Sequence, residues 1–497
     1  MIFVYEKFQL IIYYILKFFL FFIRSKKAKR FVELRNPKLF FSSIIEAKKI
    51  IDNDVKNQIE YDVFWFHVSS AGEMEQAIPV ARKLSENLGV RYFLTYYSPS
   101  AEPFLNNFPY KIGYSGLPLD NKKYFNLALN SLNIKKIFFV RYDLWPSLFN
   151  SCLDNKVEIN LISATLNKSR VGFFAFLSEY INKNYYKNIT NIFAVNNHDA
   201  QYFMKFSTTK NVFLAGDAKW SRALERANNS SKLKNDKFFN LFYYYCLYNK
   251  LILNKKCLVF GSPHQIENNI ALQCEGIKDK IFMIYVPHET DHKICNKLLH
   301  DFLQAGLKVE FFSKIILKLK DYCERKSIDI NVNYNIQDNI IGFKNYNNLD
   351  LLNKIQNFNF EFLENYEIII FDKIGYLAEL YELGDIAIVG GGFDGQIHNV
   401  LEPAAHGIPV LIGNNFLKSY EASELIEHGA AISFQNSNDL FQFLVQWVSL
   451  EGEEVDAMHP VKRLSLARDR AVKLFKNIPD TSEIILNTFL KGKKSSN

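Results

Sequence analysis

From Tyr61 onward the chain alternates short apolar runs with longer amphipathic ones. Val63-Phe64-Trp65-Phe66-His67-Val68 comes first and gives way to Ser69-Ser70-Ala71-Gly72-Glu73. A helical pattern follows from Met74 to Leu88, then strand patterns at Arg91–Thr95, Ile137–Val140, Leu161–Ser163 and Ile192–Val195. Strands alternating with helices predict a parallel sheet covered by helices on both faces. A second series opens at Cys257–Ser262 and runs through Ile281–Val286, Glu367–Phe371, Ile386–Val389 and Pro409–Ile412. The pattern therefore predicts an α/β protein with two Rossmann-like halves. At 497 residues the chain is also too long for one core. Gly216 to Lys255, polar and then aromatic without clear periodicity, marks the boundary. Ser313 to Asn365, rich in Asn and Lys, reads as an enlarged connection.

The N-terminus departs from this rhythm. Phe8 to Ile23 is almost entirely Phe, Leu, Ile and Tyr, broken by Lys17. Arg24, Lys26, Lys27, Lys29 and Arg30 follow at once. The run is short for a span, which needs about 20 apolar residues. It reads as a marginal span or as a helix lying in the interface, against the alternative of a helix docked on the protein itself. Basic residues after it favour keeping the rest of the chain cytoplasmic and near anionic lipid.

Composition adds little beyond exclusions. With 48% hydrophobic residues, disorder throughout is excluded, and a net charge of +8 is too modest to argue for nucleic acid. Six cysteines without CxxC or other metal spacing read as reduced, buried thiols.

Chemistry concentrates where predicted strands end. Gly390-Gly391-Gly392 ends an apolar run and leads to His398-Asn399-Val400-Leu401-Glu402-Pro403-Ala404. Glycines there let a ligand approach backbone N–H groups, and such junctions are where open α/β sheets bind ligands; the alternative is a Gly-rich turn that only permits tight packing, and the His398–Ala404 stretch favours the ligand. The stretch reads as a nucleotide pocket with Glu402 in reach of a ribose. Glu73 reads equally as a general base or as a carboxylate stabilising a helix start. Lys219, at a predicted strand end, is suited to stabilising phosphate charge, but taken alone it reads as a solvated lysine. Ser262 and His264, and Pro287 and His288, end two further strands at the same edge; no third ligand has zinc spacing, so they read as contacts to a nucleotide or sugar acid. Asp372-Lys373-Ile374-Gly375-Tyr376 adds backbone groups for a base or ribose. There is no Walker A loop and no GxGxxG in the first βα unit, and an Asp-x-Asp metal clamp is not evident.

Taken together, the motifs from about Phe64 to Ala431 resemble the 3-deoxy-D-manno-octulosonic acid (Kdo) transferases, membrane-associated GT-B glycosyltransferases of lipopolysaccharide assembly. Ser70-Ala71-Gly72-Glu73 is similar to the family's Ser-x-Gly-Glu, which implies Glu73 as catalytic base. Thr95 with Ser98-Pro99-Ser100, and Leu117-Pro118-Leu119-Asp120, resemble two further family motifs. Arg141-Tyr142-Asp143-Leu144-Trp145-Pro146 is similar to Glu-Thr-Glu-Leu-Trp-Pro, with Arg141 standing in place of a catalytic glutamate. Gly216-Asp217-Ala218-Lys219-Trp220 resembles Gly-Asn-x-Lys-Phe, which implies Lys219 in transition-state stabilisation. Pro287-His288, Ile374-Gly375-Tyr376 and Asn399-Val400-Leu401-Glu402 fall on CMP-binding segments, with Ser262, His264, Gly391 and Gly392 as further donor-loop contacts. His288 stands where many members carry arginine.

The resemblance implies two Rossmann-like domains facing a cleft. Residues 1–30 would be the anchor, 31–218 the acceptor-binding domain and 219–497 the CMP-sugar-binding domain. CMP-Kdo would be the donor, with no separate cofactor or metal, and a lipid A precursor the acceptor. The enzyme would lie on the cytoplasmic face of the inner membrane, against anionic lipid. The rival readings are a GT-B transferase using a UDP-sugar and a non-catalytic membrane-bound binding protein.

Overall fold

The computed structural model describes residues 2–19, 25–166, 184–207, 211–228, 237–326, 360–449 and 458–494. It divides into two units, Met1–Arg222 with Pro479–Asn497, and Ala223–Ile478. The expected boundary after residue 218 shifts into the helix Ala218–Asn228. The larger correction is at the C-terminus. The helix Thr481–Lys494 belongs to the first unit, because Ile485, Leu486 and Phe489 complete one of its cores and Thr481 Oγ1 donates to Ala215 O at 2.8 Å.

The first unit carries β1 (Val63–Val68), β2 (Arg91–Tyr96), β3 (Lys111–Gly116), β4 (Ile134–Val140), β5 (Glu158–Ala164), β6 (Asn191–Ala194) and β7 (Val212–Leu214). They form one parallel sheet in the order β3-β2-β1-β4-β5-β6-β7. Successive side chains of a strand point to opposite faces. Accordingly Val63, Trp65, Phe93, Ile137 and Phe139 enter one core, and Phe64, Phe66, Tyr92, Leu94 and Phe138 enter the other. Burial on both faces is why β1 reads as an unbroken apolar run. The strand order reverses between β1 and β4, so the loops after these two strands flank the switch point of the sheet.

The second unit repeats the architecture. Its strands are β8 (Lys256–Gly261), β9 (Ile281–Val286), β10 (Val309–Phe311), β11 (Ile368–Ile370), β12 (Ile386–Val389), β13 (Val410–Gly413) and β14 (Ala431–Phe434). They pair in parallel in the order β10-β11-β9-β8-β12-β13-β14, with the switch point between β8 and β12. The proposed enlarged connection begins as the helix Phe312–Arg325, and its residues 327–359 lie outside the described residues.

The N-terminal helix α1 (Ile2–Phe19) docks on the first unit by its polar side. Gln9 Oε1 accepts from Asp120 N at 3.1 Å and Glu6 Oε1 from Lys122 N at 2.7 Å. Phe8, Ile11, Ile15 and Phe18, spaced three and four apart on one face, are left exposed. Among the described residues no helix is long and apolar enough to cross a membrane. Of the basic cluster, Arg24 lies outside the described residues, while on α2 (Lys26–Glu33) Arg30 pairs with Glu102 at 2.8 Å. Lys26 and Lys29 remain exposed.

Candidate active site

In the first unit the site begins where β1 meets the helix Ala71–Leu88. Ser70 caps that helix in an extended conformation, and Glu73 sits in its first turn. Glu73 is only 6% exposed, and its Oε2 accepts from Ser69 N at 2.5 Å. Burial pushes its carboxyl up to about 8; the Ser69 N–H opposes this, Asp143 reinforces it and Arg141 opposes it. The hydroxyl of Ser69 donates to Asp143, so one serine touches both carboxylates. The helix-start contact expected of Glu73 is therefore present, together with a perturbed acidity that such a contact does not produce.

Arg141 follows β4 with a φ of +66°, a left-handed conformation uncommon for a residue with a side chain. Its N–H donates to Ile162 O at 2.9 Å, and its buried Nε has no hydrogen-bond partner among the described residues. A guanidinium is thus held beside Glu73 where the motif it resembles carries a carboxylate, while Asp143 supplies the nearby negative charge. Asp120, from a motif the resemblance highlighted, accepts from Ser147 N at 2.9 Å and Leu148 N at 3.1 Å. It caps the helix Pro146–Asp154 and has a structural task.

Lys219 lies in the first unit, not the second. Asp217 Oδ1 accepts from Lys219 N at 2.9 Å and from Gln76 Nε2 at 2.6 Å, and Arg222 pairs with Glu75 at 2.6 Å. Gln76 and Glu75 stand beside Glu73 in sequence, so the Lys219 turn is tied to the helix that carries Glu73.

Nothing in the sequence marks Ser69 as a link to Asp143. Nor does it mark Arg35, which donates to the carbonyls of Leu117 and Tyr97 and lies 3.9 Å from the Tyr97 ring centroid. Its partners lie 62 and 82 residues away, and no local pattern signals them.

In the second unit the loops after β8, β9 and β12 bring His264, His288 and His398 together. The glycines of the β12 loop fit the alternative reading, tight packing of the turn. A Cβ on Gly390 would lie 2.0 Å from Ser262 O, and one on Gly392 2.6 Å from Gly413 N. Gly391, with φ +80°, gives its N–H to Glu267 Oε1 at 3.1 Å. Gly391 and Gly392 are buried against protein, so close backbone packing accounts for them. Gly390→Ala is expected to lower the stability of this unit by about 3 kcal/mol or more, the upper end of overpacking costs, because the clash is with backbone. An unchanged denaturation midpoint would count against it.

The remaining candidate residues take distinct places. Asn399 Oδ1 accepts from Leu401 N at 3.0 Å and starts the short helix Leu401–Ala405. Val400 and Leu401 are core residues, as is Pro287, while His288 is exposed. Glu402 pairs with Arg226 at 2.8 Å, so it is already engaged by a cation rather than standing open to a ribose. Ile374 is 83% exposed, Gly375 has φ +92°, and Tyr376 stacks on Phe239 with ring centroids 5.3 Å apart.

The family described as 3-Deoxy-D-manno-octulosonic-acid transferase (kdotransferase) matches residues 26–222. A 3-deoxy-D-manno-octulosonic acid transferase of Aquifex aeolicus is 27% identical over 401 residues, covering 78% of this chain and 87% of that protein. One from Rickettsia prowazekii is 23% identical over 427 residues, covering 84% and 77%. Among solved structures, the UDP-GlcNAc 2-epimerase of Neisseria meningitidis has a TM-score of 0.51 at 11% identity, covering 86% of this chain and all of that one. That likeness concerns the fold alone.

Proposed function

Because the chain belongs to the Kdo transferase family and is a glycosyltransferase, we propose that it transfers Kdo from CMP-Kdo to a lipid A precursor in lipopolysaccharide biosynthesis. The observation that carries this reading is Glu73, a nearly buried carboxyl held at about 8 at the sheet's switch point. A base poised near working pH is what removal of a sugar hydroxyl proton requires. Glu73 takes the proton, and the acceptor oxygen bonds to the anomeric carbon of Kdo from the side opposite CMP. The bond from that carbon to the phosphate oxygen breaks with inversion, and CMP leaves as a stable anion. Lys219 stabilises the charge growing on that phosphate. Arg141 keeps Glu73 ionisable by opposing the effects of burial and of Asp143. The loops of the second unit hold the nucleotide.

The exposed apolar strip of α1 and the exposed Lys26 and Lys29 support a place on the cytoplasmic face of the inner membrane. Mass spectrometry of a lipid A precursor incubated with CMP-Kdo and the protein tests the reaction. A product heavier by whole Kdo residues is expected, formed at an unchanged rate in EDTA. Turnover only with a UDP-sugar, or loss of activity in EDTA restored by Mg²⁺, overturns the reading in favour of a diphosphate donor. A folded protein that binds CMP but transfers nothing favours the non-catalytic alternative, which Arg141 keeps open.

A further inference from the structure

We propose that His264, His288 and His398 form a seat for the donor phosphate that takes up a proton when the anion binds. The inference rests on reading the second unit as the holder of CMP.

The geometry is that of a relay with one open end. His264 follows β8, and its N–H donates to Glu267 Oε2 at 3.0 Å. Glu267, 1% exposed, also accepts from Gly391, so one buried carboxylate fixes the loops after β8 and β12 together. The His264 ring has Nδ1 2.6 Å from Asp394 Oδ2 and Nε2 2.9 Å from His398 Nε2. His288, after β9, lies against His398 with ring centroids 4.5 Å apart and planes 35° apart. His264 and His398 follow the two strands that flank the switch point, β8 and β12, where open α/β sheets bind ligands, and His288 follows β9 beside them. Among the described residues no group of His, Cys, Asp or Glu is arranged to hold a metal ion. Converging imidazoles suit an anion once they are protonated, because both ring nitrogens are then donors.

Proton counting gives the coupling. The contact between the two Nε2 atoms holds one proton, with one ring donating and the other accepting. A second proton would set two N–H groups head to head and place positive charges side by side. His398 is accordingly held down to about 4, first by burial and then by His288 and His264, with Asp394 opposing. A phosphate oxygen supplies the missing acceptor and a negative charge. The protonated rings then donate to the ligand rather than repel one another. Anion binding and protonation favour each other, and by linkage anion affinity rises as pH falls. An arginine at position 288 would carry a permanent charge and weaken this dependence.

Isothermal titration of CMP into the full-length protein, in buffers of different ionisation heat at pH 6 to 8, reads the protons taken up. The phosphate's own titration near pH 6 acts in the opposite sense. Comparing wild type with His288→Arg, using the same ligand, cancels it. Relative to His288→Arg, the wild type is expected to lose CMP affinity as pH rises, by at most about tenfold per pH unit for one linked proton. His398→Gln should lose the proton uptake with its melting curve intact, and it serves alone if His288→Arg does not fold. Cytidine, which lacks the phosphate, should show no uptake. No CMP binding at any pH defeats the donor reading itself. CMP binding with the same pH dependence in wild type and variants, or equal uptake with cytidine, overturns the proton-coupled seat while leaving that reading in place.

Discussion

Glu73→Gln is expected to reduce transfer by roughly 10²- to 10⁴-fold, the usual contribution of a positioned general base. Glutamine keeps the size of the side chain and, through its amide oxygen, the hydrogen bond from Ser69 N. It cannot take the hydroxyl proton. CMP affinity should hold, because no part of the nucleotide reading rests on this residue. Retention of more than about a tenth of the activity would show that the carboxylate only anchors the helix start.

The acidity of Glu73 gives the same substitution a second signature. With the carboxyl at about 8, wild-type turnover should climb about tenfold per pH unit below that value and level above it. Asp143→Asn removes a charge that raises it, so the limb should move to lower pH; Arg141→Gln should move it to higher pH. Stability runs the other way. The folded pKa lies above the ordinary value of 4.5, so the stability from the neutral buried carboxyl is full below 4.5 and is lost as pH rises through about 8. Glu73→Gln stays neutral throughout. It should therefore unfold later than wild type at pH 9 and lose this advantage toward pH 4, a pattern measurable by thermal melts across that range.

How much of this could be read from the chain follows from where burial is complete. Ile281–Val286 and Ile386–Val389 have the bounds that their apolar runs predict, and the other central strands agree within a few residues. These strands are covered on both faces. β3, β10 and β14 had no predicted counterpart, and all three are sheet edges. β3, Lys-Ile-Gly-Tyr-Ser-Gly, exposes part of its length and carries no apolar run to find. The fourth edge, β7, was sensed only as a strand ending before Gly216. The site was legible as a set of positions at strand ends, because a doubly wound sheet delivers its loops to one edge whatever the loops contain. The partners were not legible. Glu402 meets Arg226 across 176 residues, and Ser69 meets Asp143 across 74. Gly390 and Gly392 show the limit most clearly. A glycine at a strand end announces that something approaches closely, without saying whether it is a ligand or, as here, a neighbouring backbone.

Placing glutamate at Phe8, Ile11, Ile15 and Phe18 is expected to release the protein from anionic vesicles almost completely. The four side chains line the middle of the exposed side of α1, each 49% to 66% exposed and flanked by the exposed Leu10, Ile12 and Tyr14, while Glu6 and Gln9 hold the helix to the body from its other side. The orientation is the reverse of a soluble amphipathic helix, whose apolar stripe faces the core. Burying such a side chain contributes about 1.5–3 kcal/mol, so losing four removes roughly 6 kcal/mol or more of attraction before the repulsion of new negative charges is counted. Each 1.4 kcal/mol is about tenfold in partitioning, and the loss thus amounts to roughly four powers of ten. The substitutions leave the contacts to Asp120 and Lys122 in place, which deletion of residues 1–30 would not. Vesicle flotation should find the variant in the soluble fraction with its CMP affinity and melting temperature unchanged. Turnover should fall on acceptor embedded in vesicles and survive on acceptor dispersed in detergent, since only the embedded acceptor requires docking at a bilayer. Wild-type protein that fails to float with anionic vesicles at low salt, or a variant that floats as well as wild type, would show that the strip has another partner.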